Sequence, residues 1–536
     1  MLLAALDATF EYLAATANHA ALRPLIAALD SDHPAIRRRA VAALLRRNNV
    51  EAHRAVLLRL RQLDDDGLAL VWYHRAKLTQ AIRQCILDPN IEICTCGREA
   101  AIWLREYDLV PTLINAVESP EHVNGSLAGF VLLELAKALR HELTQEVRTP
   151  GRRDPIVIRS QFVHSLEWSV NKFGKHGRGE ILDAYLLLVS PKSERFRRFL
   201  SDVHHPAYRP LLERLLHSSA DEVIKLVASF LEDRQLPTST LRILSKREDA
   251  RFVRTLLETI GPTPSQVVQK NLRRIDSFAW LIHWRTILPE LSAEQQQGLV
   301  HLASLCSIDR KSAFEILRAL VREGAVPARR LAAEALSQFV GPEANELILQ
   351  ALEDEDPHVQ GAAASQLRRR GIVGALPRLV ELLDSPYAVV REAVRRELGE
   401  FSFQRYLASF DLLEEEVRTS TGQLVRKVDP DWLKLLKAEM QSPARSRRLR
   451  AVAMTLAMNA VGDLQPELMG LLEDPDHMVR AEAVRALALC PSPGVQNAIR
   501  ESAAGDRSVA VQQAVEAAFK SLEQAEIILG EIPLEN

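Results

Sequence analysis

The chain has 536 residues, 47% of them apolar but only 5% aromatic, so Ala and Leu carry the hydrophobic share and wholesale disorder is excluded. Lys and Arg number 68 against 70 Asp and Glu, and a formal net charge of -2 offers no global attraction for nucleic acid or an acidic membrane. Five cysteines over this length do not make a disulfide framework, and no run reaches the ~18 uncharged apolar residues of a membrane span.

The N-terminus, Met1-Leu2-Leu3-Ala4-Ala5-Leu6-Asp7, lacks a basic leader region, which argues against a secretory signal and for a soluble cytoplasmic protein. Residues 1–18 read as a capping helix with Leu3, Leu6, Phe10 and Leu13 on one side. A second helix carries Leu22, Leu25, Ile26 and Leu29, and Asp30-Ser31-Asp32-His33-Pro34 breaks it. An Asp caps the next helix well, and Pro34 suits a first turn because that N–H has no partner there anyway. The helix that follows presents Ile36, Arg37, Ala40 and Leu44: an aliphatic at position zero, Arg at one, a small residue at four, a large apolar one at eight.

This frame returns along the chain. It appears at Cys96–Leu104, at Leu127 with Val131 and Leu135, and at Val223 with Val227 and Leu231. From Ala328-Arg329 it is regular, with Val359 and Val390-Arg391 following at steps of 31. Leu449-Arg450 comes 59 residues later, near two steps, and Val479-Arg480 and Val511 follow at 30 and 32. Two stretches break the beat. Residues 146–179 contain Arg148-Thr149-Pro150-Gly151 and Gly174-Lys175-His176-Gly177-Arg178-Gly179, which read as loops around a helix over 158–173. Residues 401–431 fill one unit's length without its pattern. Self-similarity at about thirty residues marks a repeat array, in which each unit buries its apolar face only against its neighbours.

Two-helix units with an Asp/Pro turn and a Val-Arg-x-x-Ala-x-x-x-Leu second helix resemble HEAT repeats of the short bacterial type. Asp354-Glu355-Asp356-Pro357-His358-Val359 and Asp474-Pro475-Asp476-His477-Met478-Val479 carry the likeness best. The resemblance implies an all-α fold, a right-handed α-solenoid of stacked two-helix repeats with two irregular interruptions. The expected organisation is repeats over 1–145, an insertion over 146–179, central repeats over 180–400, an irregular connector over 401–431, and repeats with a tail over 432–536. The leading functional expectation is a non-catalytic scaffold, without cofactor or metal, that holds a protein partner on its concave face. The alternatives are a nucleic-acid-binding or glycosylase-type protein, which the near-neutral charge argues against, and a non-catalytic subunit of a lyase or modifying enzyme.

Two sets of residues are candidates for specific roles. The position-one arginines Arg37, Arg329, Arg391, Arg450 and Arg480 read as a structural ladder onto turn carboxylates such as Asp32, Asp356, Asp384 and Asp476, because a planar guanidinium bonds a carboxylate bidentately. Positions two, five and six of the second helices point outward in this reading, and include Arg330, Arg395, Arg396, Met454, Val484 and Arg485. With Arg368 and Arg369 beyond one helix, and Arg445, Arg447 and Arg448 crowding the start of another, the arginines among them form the expected patch for an acidic protein partner. Cys85, Cys94 and Cys96 lack a second ligand pair at zinc spacing and read as core thiols. Trp280 and Trp284, four apart, read as a packed stripe in preference to a base-stacking platform.

Overall fold

The computed structural model describes residues 2–145, 153–490 and 492–530, and every regular element among them is a helix. Consecutive helices pair and stack as an α-solenoid does, and the chain divides between Ala313 and Phe314 into two compact units. No helix among the described residues is long and apolar enough to cross a membrane.

In the first unit the second helices of the pairs follow one another from Pro34–Arg46 through Asp65–Tyr73, Ile91–Leu104, Gly125–Thr144, Gly179–Leu188, Asp221–Ser229 and Ala250–Ile260 to Ala293–Leu305. Polar caps start many of the helices. Asn49 accepts from the N–H groups of Glu51 and Ala52, Asp249 from Phe252, and Ser292 forms a reciprocal capping box with Gln295. The free carbonyls at helix ends are closed by long side chains from the next repeat. Arg47 donates to the Leu13 and Asn18 carbonyls at 2.6 and 3.1 Å, and Asn271 to those of Leu231 and Asp233, both at 2.8 Å.

The stretch expected as an insertion is instead part of this stack. Residues 146–152, where the first of its loops was expected, lie outside the described residues. Pro155–Asn171 is a single helix packed on Val110–Glu118, Gly125–Thr144 and Gly179–Leu188, so it serves as the first helix of an ordinary pair. The expected second loop is a short helix, Phe173–His176, closed by Gly177 at φ +62°. The glycine there marks a left-handed helix stop that a side chain would strain, and not a loose linker.

In the second unit the second helices are Val326–Ala335, Pro357–Ala364, Ala388–Glu397, Glu415–Val428, Arg445–Ala457, His477–Leu487 and Val509–Gly530. Residues 401–431 are again a helix pair, Phe403–Ser409 and Glu415–Val428, where the sequence suggested an irregular connector. Aromatic side chains replace the usual aliphatic frame: Phe403, Tyr406 and Phe410 are buried, and Tyr406 Oη donates to the Arg418 carbonyl at 2.7 Å. Gly422 lets this pair sit close to the next one, because a Cβ there would lie 2.6 Å from Tyr406 Oη and 3.1 Å from Met458 Cγ.

The second helices are buried more widely than a simple amphipathic stripe requires. In His477–Leu487, Val479, Ala481, Ala483, Val484, Ala486 and Leu487 are all fully buried, because neighbours cover this helix from both sides and from its own pair. Alanine at three of those positions is what allows helices on several sides to approach at once. Met454 and Val484, expected to face outward, are therefore core residues.

Candidate partner-binding surface

The arginine ladder exists, with different rungs from those the sequence suggested. Arg329 forks onto Asp354 at 2.8 and 3.0 Å, and Arg480 onto Asp506 at 2.6 and 3.1 Å. Arg448 forks onto Asp474 at 2.7 and 2.9 Å, and so it, not Arg450, occupies the ladder position of its helix. The frame of Arg445–Ala457 is accordingly two residues earlier than the sequence reading: Ala451 and Thr455 take the buried positions, while Leu449 is half-buried.

Each of these arginines also donates to carbonyls of its own turn: Arg329 to Gly324, Arg448 to Ser442 and Pro443, Arg480 to Asp474 and Pro475. One guanidinium thus joins the turn of its own repeat to the turn of the next. Asp354, Asp474 and Asp506, the carboxylates used, stand two residues ahead of the helix-capping position. Asp356 and Asp476 are not the rungs for these arginines: each caps its own helix, accepting from His358 and Val359 and from Met478 and Val479, and the other oxygen of Asp476 takes Arg445 at 3.0 Å. The Asp-x-Asp spacing was the available signal: one carboxylate for the cap, one for the preceding arginine. The Arg480 guanidinium holds the Asp506 carboxyl below its usual range.

The remaining ladder candidates make weaker bonds. Arg37 and Arg391 each donate to one turn carbonyl, Ser31 and Ser385, both at 2.7 Å, and Arg37 does not reach Asp32. Arg450 meets Asp411 at 3.1 Å. Asp384 takes Lys427 at 2.7 Å, since the preceding repeat has Gln360 where an arginine would reach it.

Most of the arginines expected to face a partner are neutralised within the chain. Arg330 pairs with Glu334 at 3.0 Å, Arg368 with Glu400, Arg369 with Glu397 at 3.2 Å, and Arg445 with Asp476 at 3.0 Å. Arg447 forks onto the largely buried Glu439, and Arg485 meets Glu482 one turn away. Arg370, next to this set, is tied to the Phe339 carbonyl at 3.0 Å. The exceptions are Arg395 and Arg396, which form no hydrogen bond or ion pair among the described residues, and Arg395 Nε is buried without an acceptor.

These two side chains line a recess of about 410 Å³ between Ala388–Glu397 and the end of Glu415–Val428. Phe401, Val428 and Pro430 give it an apolar lining. Asp429, also at its edge, is already used, accepting from the N–H groups of Phe403 and Asp431 at 2.8 and 2.9 Å. The recess follows from spacing. Ala388–Glu397 and Glu415–Val428 start 27 residues apart, a shorter step than the 31 between the preceding second helices, and they touch less than other neighbours in this unit do. What remains is a hollow lined by two guanidinium groups that bond to nothing among the described residues, with the Glu392 carboxylate one turn back on the same helix also in its lining.

Other sequence candidates fall in the core. Cys85 and Cys94 are buried, Cys94 Sγ lying 3.3 Å from the Ile86 carbonyl, while Cys96, expected at a buried position, is only half-covered. Burial pushes the Cys85 thiol up to about 11. Trp280 and Trp284 are buried and hence closed to base stacking.

Residues 302–399 match the family of HEAT repeats. No curated protein matches the chain in sequence. Among known structures, an engineered protein is 16% identical over 94% of this chain and 98% of its own, with a TM-score of 0.22. A homology model of the full-length AP-3 complex in an intermediate open conformation is 12% identical, covering 96% of this chain and 98% of that one at a TM-score of 0.37. The crystal structure of Kap121p bound to Nup53p is 11% identical, covering 96% and 71% at a TM-score of 0.26.

Proposed function

We propose that the chain, whose residues 302–399 match HEAT repeats and whose helix pairs stack as an α-solenoid does, is a non-catalytic scaffold that holds a protein partner through an acidic segment docked at the Arg395–Arg396 recess. The observation that carries this reading is the contrast between those two arginines and the rest. The other surface arginines singled out are bonded to carboxylates of this chain, whereas Arg395 and Arg396 form no ion pair among the described residues, even with Glu392 one turn back on their own helix lining the same recess. A buried, unused donor costs stability, and a partner carboxylate supplies bidentate, charge-assisted bonds at that position. Phe401 and Val428 beside it offer an apolar contact of the kind that anchors interfaces.

The test compares partner recovery from native cells by the wild type, by the double reversal Arg395→Glu with Arg396→Glu, and by Arg485→Glu as a control at an exposed but internally paired site. The scaffold reading expects a partner that the double reversal loses, the control retains, and rising salt releases. A partner set shared by all three proteins places the interface elsewhere and removes the proposal.

A further inference from the structure

A second recess lies in the first unit, far in sequence from the arginine pair. It has a volume of about 380 Å³, within the roughly 300–1,000 Å³ span of small-molecule sites, and sits between Pro155–Asn171 and Glu194–Ser201. Its wall is Trp168, which is 56% exposed. The indole is held by one hydrogen bond: its N–H donates to His164 Nε2 one turn back at 3.1 Å, with the two rings edge to face. A large aromatic side chain that faces solvent with its N–H already bonded presents its ring face for stacking.

The polar lining divides into a satisfied part and an unsatisfied part. Glu167 is largely buried and fully engaged, accepting from Tyr185 Oη, Ser193 Oγ and Arg195 Nη1 at 3.4, 3.3 and 3.2 Å. Arg198 and the Asn171 amide make no bond among the described residues. His205 accepts from the Ala207 N–H at Nδ1, 3.1 Å away, so its neutral ring carries the proton on Nε2, and that nitrogen is buried without a partner. Asp202 keeps acceptor capacity, because its carboxylate takes only the His204 N–H, at 3.0 Å.

We propose that this recess binds a nucleotide, a planar base joined to a phosphate. The indole face of Trp168 stacks on the base. Asn171, His205 Nε2–H and Asp202 together offer donors and acceptors, as the edge of a base requires and a plain aromatic anion does not. Arg198, with the free N–H groups of Arg195, takes the phosphate. The near-neutral charge of the chain and the single stacking surface select a mononucleotide over a strand. This site goes beyond the scaffold reading and does not depend on it.

The experiment is calorimetric titration of the full-length chain with AMP, adenosine, inorganic phosphate and a hexa-adenylate strand. AMP is expected to bind at least tenfold more tightly than adenosine or phosphate. Trp168→Ala is expected to weaken AMP and adenosine alike by about tenfold, and Arg198→Gln to weaken AMP by about tenfold while leaving adenosine unchanged. Both side chains are exposed, and unchanged melting temperatures verify that the variants fold. The proposal is overturned if AMP binds no better than its two parts or if either variant leaves it within twofold of wild type. A strand binding tenfold more tightly than AMP overturns the assignment to a mononucleotide.

Discussion

Arg448 distinguishes a structural arginine from a recognition arginine most sharply. Its side chain is 11% exposed and that of Asp474 is 4% exposed, with two N–H···O bonds between them at 2.7 and 2.9 Å. Arg448→Ala removes this fork together with the two bonds to the Ser442 and Pro443 carbonyls. Breaking one side of a buried ion pair costs about 3–5 kcal/mol. Asp474 keeps one donor, the Asp476 N–H at 2.9 Å, which places the loss at the lower end, at about 3 kcal/mol. Asp474→Ala should cost a similar amount, and the double variant little more than either, so the coupling energy should be about 2–3 kcal/mol in magnitude. Urea denaturation of the full chain followed by far-ultraviolet circular dichroism measures all three. Two single variants within about 0.5 kcal/mol of wild type, or losses that simply add, would refute the claim that this fork joins neighbouring repeats.

The packing reading gives three more expectations. Gly422→Ala should gain about 1 kcal/mol of helix propensity yet destabilise overall by about 1–2 kcal/mol, because its Cβ meets Tyr406 Oη and the Ala457 backbone; Gly361→Ala, whose Cβ meets nothing closer than 3.4 Å, should instead stabilise by about 0.5–1 kcal/mol, and equal signs in a urea titration would contradict this. Val484→Lys, at a position the sequence placed on the surface, should cost about 3–5 kcal/mol, and a melting temperature unchanged from wild type would return Val484 to the outside. Burial holds the His53 imidazole below its ordinary value, so below about pH 6.5 the unfolded chain takes up a proton that the folded chain resists; stability should fall as pH drops, by up to about 1.4 kcal/mol per unit, and His53→Gln should lose that part of the slope, a result excluded if both proteins show the same urea midpoints from pH 7.5 to 5.5.

The repeat was legible because its constraint is local. The Asp-Pro turn at Asp356-Pro357 and the Val-Arg frame at Val479-Arg480 each encode a helix start and a buried face within a few residues. Three things escaped. The pair at 403–428 buries aromatics where other repeats bury aliphatics, so a frame built on Val, Ala and Leu passed over it. The outward positions of the second helices cannot be assigned from one helix, because neighbours on both sides decide whether a residue such as Val484 is covered. The frame of Arg445–Ala457 slipped by two because its start, Arg445-Ser446-Arg447-Arg448-Leu449-Arg450, offers several arginines within two turns, and only the position of Asp474 selects among them.

The same logic explains why arginine abundance is a poor guide to function here. A repeat array places a turn carboxylate near each second helix, so an arginine on that helix finds an internal acceptor by default, as Arg329, Arg448 and Arg480 do. The default fails where the repeat step changes. At the short step between Ala388–Glu397 and Glu415–Val428 the helices separate enough to open a recess, and Asp429 at its edge is spent on backbone N–H groups. Arg395 and Arg396 are left unbonded by geometry and not by composition, since Glu392 stands one turn back on their own helix and lines the same recess. Restoring an acceptor should therefore weaken the site: Gly399→Asp, on the rim of the same recess, supplies a carboxylate from within the chain, and the partner lost by the double reversal should bind this variant at least tenfold less tightly at an unchanged melting temperature. Full affinity retained by Gly399→Asp would mean that the unpaired guanidinium groups are not what the partner reads.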